Sequence, residues 1–176
     1  MTRIAVLLRG VNVGKAKRIS SAELRAVVEA SGLTDVSTLL NSGNAVGTAS
    51  LKPASIATAV SAEIERQCSF TCDVVVRTEA EVKRALTQDL LRDVATDPSR
   101  HLLVFLGTQP TESAVQELEA IDVTPEVFAF DGADLHAWMP EGVAESRLQK
   151  ALTKGVLRVA WTGRNWSTLQ RIADAM

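Results

Sequence analysis

The apolar runs of this chain are short, and turn or charged residues close each one before it reaches the length of a buried helix. Ile4-Ala5-Val6-Leu7-Leu8 stops at Arg9-Gly10, and Val74-Val75-Val76 stops at Arg77-Thr78. Short apolar runs bounded in this way, five residues in the first case and three β-branched residues in the second, favour buried strands. Between them lie stretches with helical spacing. Ser20 with Glu23 forms a capping box, Ile19 can staple to Leu24, Leu24, Val27 and Val28 make one stripe, and Gly32 suits the stop. Val36–Leu40 and Ala45–Thr48 flank Asn41-Ser42-Gly43-Asn44, whose turn chemistry predicts a hairpin. Pro53 opens a helix carrying Ile56, Val60 and Ile64. Residues 4–78 therefore read β-α-β-β-α-β.

The second half repeats the order. Thr78 with Glu81 caps a linking helix lined by Val82, Ala85 and Leu86, which Asp97-Pro98-Ser99 ends. His101–Leu106 reads as a strand that is apolar on both faces, and Pro110-Thr111 opens a helix. Val127–Phe130 and Leu135–Met139 form a hairpin across Asp131-Gly132-Ala133-Asp134. Ser146–Thr153 reads as a helix, Val156–Trp161 as a strand, and Asn165 caps a final helix. The expected fold is α+β: two ferredoxin-like (βαββαβ) lobes in tandem with a C-terminal helix. The expected boundaries are 1–78 for the first lobe, 79–99 for the linking helix, and 100–176 for the second lobe with the terminal helix. Helices on one face of each sheet leave back-face residues such as Leu103 and Phe105 to be covered by the other lobe or by a second chain.

Charge is distributed unevenly. The net charge of −2 arises from two basic ends, residues 1–25 and 147–176, each with six Lys/Arg and one acid, around a middle with seven Lys/Arg and nineteen Asp/Glu. Such ends are either part of a solvated mixed surface or, brought together, one basic patch facing an anion. No apolar run approaches the roughly 18 residues that span a membrane. Met1-Thr2-Arg3 enters a strand-like run at once, without a signal-peptide pattern, so the expected location is the cytoplasm. Two cysteines, Cys68 and Cys72, with two distant histidines argue against a disulfide framework and against a four-ligand zinc site, so no metal and no cofactor are expected.

Gly10-Val11-Asn12-Val13-Gly14-Lys15-Ala16 resembles a phosphate loop but departs from it twice. Its glycines stand one residue too close, and Ala16 replaces the hydroxyl residue that would hold magnesium. A small anion nest around Lys15 survives as one reading, and a strand-to-helix turn with solvated lysines as the other. Near the other end, Arg164, Asn165 and Ser167 either grip an anion at a helix N-terminus or form an ordinary cap beside a packed Trp166. His136 and Trp138 share one strand face, opposite Leu135, Ala137 and Met139. No nucleophile elbow and no RNA-recognition signature is present.

Four motifs in series are specific. They are Leu7-Leu8-Arg9-Gly10-Val11-Asn12-Val13-Gly14, Ser42-Gly43-Asn44, Val76-Arg77-Thr78 and Arg164-Asn165-Trp166-Ser167-Thr168. In this order and spacing the chain resembles the family called domain of unknown function 1697, over essentially its whole length. The resemblance implies an intracellular, mostly bacterial protein with two ferredoxin-like lobes. It brings no established activity, substrate or cofactor. By position, its polar signature falls on Arg9, Asn12, Ser42, Asn44, Arg77, Arg164, Asn165 and Thr168. Lys15 stands where the family often has a second glycine. Ser146-Arg147-Leu148 resembles the family's Ser-Lys-Leu segment without the aromatic often found before it.

The leading expectation is binding of an anionic ligand, a nucleotide, sugar phosphate or nucleic-acid backbone, between the Arg9–Arg18 loop and the Arg164 helix end. Arg9, Lys15, Arg77 and Arg164 would supply charge, with Asn12, Ser42, Asn44, Asn165 and Thr168 as polar contacts. Two alternatives remain. One is an enzyme acting on a phosphorylated or nucleotide substrate, although no general base or nucleophile stands out. The other is a structural protein acting through a partner or as a homodimer.

Overall fold

A computed structural model describes all 176 residues. The architecture is mixed α+β, with two four-stranded antiparallel sheets and six helices. The chain divides into two compact units: Met1–Leu86 joined by Gln170–Met176, and Thr87–Leu169.

The first unit runs β1 (Thr2–Leu8), α1 (Ser21–Ala30), β2 (Thr34–Leu39), β3 (Asn44–Ala49), α2 (Pro53–Cys68), β4 (Val74–Thr78) and α3 (Glu79–Thr87), whose last residue falls in the second unit. Its strand order is β2-β3-β1-β4. The capping box is formed: the Ser20 hydroxyl accepts from the Glu23 N–H, and the Glu23 carboxylate accepts from the Ser20 N–H. Thr78 and Glu81 make the same exchange ahead of α3. The stripes Leu24, Val27, Val28 and Ile56, Val60, Ile64 pack on Ile4, Val6 and Leu8, so alternate residues of β1 enter one core. The other β1 face, Ala5 and Leu7, is buried as well.

The second unit runs β5 (His101–Leu106), α4 (Glu112–Glu119), β6 (Val127–Asp131), β7 (Asp134–Trp138), α5 (Arg147–Thr153), β8 (Trp161–Asn165) and α6 (Trp166–Asp174), whose later residues belong to the first unit. Its strand order is β6-β7-β5-β8. Leu102, Val104 and Leu106 join Leu135, Ala137, Met139, Leu118, Leu148 and Leu152 in a second core. Leu103 and Phe105 point to the opposite sheet face and are fully buried within this one chain.

The sequence places a strand at Val156–Trp161, and the structure moves it. Residues 154–157 form a turn and 158–160 are irregular; Arg158 adopts a φ of +55° and its N–H donates to the Gly155 carbonyl at 3.0 Å. A left-handed residue breaks an extended run. Val156 and Leu157 are apolar because they fill the core below α5. The strand begins at Trp161, whose indole N–H donates to the Leu152 carbonyl at 3.2 Å. Arg164 and Asn165 are thus strand residues, paired with Leu103 and Leu102 of β5.

The Ser146-Arg147-Leu148 segment has a local explanation. Ser146 is the cap of α5, accepting from the Gln149 N–H at 2.8 Å. The Glu126 carboxylate receives the Ser146 hydroxyl and the N–H groups of Arg147 and Leu148, at 2.8, 2.8 and 2.9 Å. A carboxylate suits this helix end because the first N–H groups lack partners inside the helix and carry partial positive charge. Glu126→Ala strands these donors, and we expect it to cost about 2 kcal/mol, with Glu126→Gln costing less. Urea unfolding followed by circular dichroism checks this.

Candidate functional site

In the first unit the loop after β1 is held by one side chain. Asn12, at a φ of +59°, donates from its amide to the carbonyls of Ile19 and Asn41 at 2.8 and 3.0 Å. Its side-chain oxygen accepts from the Ile19 N–H at 3.0 Å, and its own N–H donates to the Lys17 carbonyl at 2.7 Å. Asparagine tolerates the left-handed region better than most residues, so conformation and bonding agree here. The loop is closed on itself, with Lys15 and Arg18 exposed and Lys17 half-buried. Val13, at 77% exposure, stands at its tip.

Beside this loop, Arg9 pairs with Asp73 at 2.9 Å, and Arg9, Gly10, Lys17, Thr71, Cys72 and Asp73 line a cavity of about 450 Å³. Asn12, Arg18 and Ser20 line a second cavity of about 430 Å³ with Asn41 and Glu23. Cys72 is a free thiol pushed up to about 11, chiefly by burial, and Cys68 is raised by the same cause. Both shifts disfavour the thiolate, the nucleophilic form. Ser42 and Asn44 close the hairpin: the buried Asn44 amide donates to the Ser42 hydroxyl at 2.8 Å and to the Leu39 carbonyl at 3.0 Å.

The two units build Arg77 and Arg164 alike. Arg77 stands opposite Ala5 on β1, and Arg164 opposite Leu103 on β5, each on the sheet face away from the helix-covered core. Each is buried and donates to the carbonyl of the preceding residue, Val76 at 3.3 Å and Gly163 at 2.8 Å. Arg164 also donates to the Thr162 hydroxyl at 2.7 Å, and burial lowers its guanidinium to about 10. The next residue in each case is a cap, Thr78 for α3 and Asn165 for α6, where the Asn165 side chain accepts from the Thr168 N–H at 2.9 Å. Asn44 and Asp134 also correspond: each opens its strand, is buried, and pairs with a central strand, at Leu7 and Phe105. This duplication is invisible as residue identity and appears only in strand register.

The second unit also gathers three groups that the sequence keeps apart. His101 Nε2 lies 3.4 Å from Asp89 Oδ1, and His136 Nδ1 lies 4.0 Å from the same oxygen. One ligand atom from each of the three residues falls within 4.8 Å of the others. The His101 ring stacks flat on Trp166, with centroids 4.2 Å apart and planes 5° from parallel. Burial lowers both imidazoles below their ordinary range, against the opposing pull of Asp89. Sequence reading missed this cluster because the histidines lie in different strands. The one available signal was His136 facing away from Leu135, Ala137 and Met139, which are core residues here.

No helix is long and apolar enough to cross a membrane. No curated protein matches the chain. Among solved structures, a conserved bacterial protein from Streptococcus pneumoniae superposes with a TM-score of 0.76 at 23% identity, covering 99% of this chain and 98% of its own. That likeness carries the fold over the whole chain. The model of the protein family of unknown function DUF1697 matches residues 1–136, and the chain belongs to that family.

Proposed function

We propose that the protein binds a phosphate-bearing ligand of nucleotide size at the Arg9–Arg18 loop of its first unit. The observation that carries this is the closure of the loop by Asn12, which holds Lys15, Lys17 and Arg18 on a fixed backbone. Cations on a preorganised loop lose less freedom when they meet an anion than cations on a mobile one. The adjoining cavity of about 450 Å³ falls within the range of small-ligand sites. Arg9, Lys15 and Lys17 supply charge in this reading, Asn12 sets the loop, and Ser42, Asn44 and Arg77 hold the strand ends that carry it. Arg164, Asn165 and Thr168 do the corresponding holding within the second unit.

Isothermal titration with adenosine triphosphate, a sugar phosphate, tripolyphosphate and a short single-stranded RNA tests the reading. Lys15→Ala/Lys17→Ala/Arg18→Ala is expected to weaken binding about tenfold or more, because charged hydrogen bonds contribute about 1.5–3 kcal/mol each. A triple variant indistinguishable from wild type across the panel sinks the proposal.

We further propose that each unit is a ferredoxin-like lobe. The support is a shared β-α-β-β-α-β order and the same strand order within each sheet. The location proposed is the cytoplasm, to be checked by cell fractionation.

A further inference from the structure

We propose that Asp89, His101 and His136 form a binding site for a divalent transition-metal ion in the second unit, separate from the anion-binding loop. Two imidazoles and one carboxylate are a donor set that zinc and its first-row neighbours accept. His136 has no exposed surface, and both of its ring nitrogens lack a hydrogen-bond partner; His101 Nε2, on a side chain 3% exposed, lacks one too. Buried polar atoms left in this state cost about 1–3 kcal/mol each, and most such atoms in folded proteins have a partner. Two of the three, His101 Nε2 and His136 Nδ1, converge on one carboxylate oxygen. A shared ion satisfies both at once, one nitrogen from each ring.

The spacing is close to what an ion requires. Metal–ligand bonds of about 2.0–2.2 Å in a tetrahedron set ligand atoms roughly 3.3–3.6 Å apart. The two carboxylate–imidazole separations of 3.4 and 4.0 Å and the 4.8 Å limit on the set need only a small inward rotation of side chains. Trp166 stacked on His101 fixes one imidazole plane, which preorganises that ligand. Asp89 is the least buried of the three and, with Gln88, Leu90, Arg92, Phe130 and Asp131, lines an open cavity of about 410 Å³ that gives an entry path. Three protein ligands leave a fourth position for water or a small anion.

The test uses the full, tag-free chain stripped with a chelator, then titrated separately with Zn²⁺ and Co²⁺. One equivalent should bind. Co²⁺ should give visible ligand-field bands without thiolate charge transfer and should quench the indole fluorescence, with the quench reduced in Trp166→Phe. Asp89→Asn, His101→Gln and His136→Gln should each weaken binding at least tenfold, while Cys68→Ser/Cys72→Ser should bind like wild type. Asp89→Asn is the decisive variant if a histidine change impairs folding, because its amide oxygen can still accept from the Leu91 N–H, as the Asp89 Oδ1 does at 3.0 Å. Absence of stoichiometric uptake overturns the proposal. So does uptake that survives Asp89→Asn or disappears with the cysteines.

Discussion

Gly43→Ala should destabilise the first unit by about 3 kcal/mol or more, lowering Tm by roughly 10–20 °C. Two effects combine. Gly43 has a φ of +72°, a conformation in which an alanine side chain is strained. A Cβ there would also lie 2.6 Å from Val11 Cγ2 and 2.8 Å from Leu8 Cβ. The second contact matters most, because Leu8 Cβ moves only if β1 moves. The Leu8 N–H donates to the Gly43 carbonyl at 2.8 Å, so moving the two backbones apart also breaks a hydrogen bond. Gly142→Ala is the internal comparison: its φ is +89°, but a Cβ meets nothing within 4 Å. That variant should show the conformational cost alone, about 1 kcal/mol. Equal losses for the two variants, measured by thermal and urea unfolding, would show that the close approach is not what requires a glycine.

Phe105→Ala should cost about 3–5 kcal/mol, the range for emptying a buried aromatic site. Phe105 has no exposed surface and lies on the β5 face away from the core beneath α4 and α5. Leu106→Ala probes the helix-covered face and should cost about 2–5 kcal/mol. If both faces of β5 are packed to the density of protein interiors, the two losses will be comparable. A Phe105→Ala loss below about 1 kcal/mol, beside a normal loss for Leu106→Ala, would show that the second face is only loosely covered.

Much of the fold could be read locally. The capping boxes at Ser20 and Thr78 are self-contained exchanges over three residues, and both form. The turn chemistry of Asn41-Ser42-Gly43-Asn44 places the first hairpin, and the stripes of α1 and α2 meet the alternating residues of β1. What failed was the last strand. Val156, Leu157, Val159, Ala160 and Trp161 read as a strand because a core-filling turn and a buried strand draw on the same residue types. Thr162-Gly163-Arg164-Asn165 carries little strand character of its own and is extended because β5 offers it a partner.

The candidate sites divide along the same line. The cations of the Arg9–Arg18 loop lie close in sequence and were visible. The closure of that loop by Asn12 needs the carbonyl of Asn41, which belongs to a different element. The pairing of Asp89 with His101 and His136 depends on the register between β5 and β7, which apolar spacing alone does not number. Glu126 beneath α5 was missed because an acid at the end of one loop gives no sign of which helix it serves.

The chain route through the two units has a consequence for biosynthesis. Thr87–Leu169 forms one uninterrupted compact unit, whereas the other is assembled from Met1–Leu86 and Gln170–Met176, and Arg3 donates to the Ala175 carbonyl at 3.1 Å. A ribosome delivers the inner unit whole before it releases the stretch that completes the outer one. Nascent Met1–Leu86 must therefore wait, open along the seam that Gln170–Met176 will close, and this interval is when chaperones would find it.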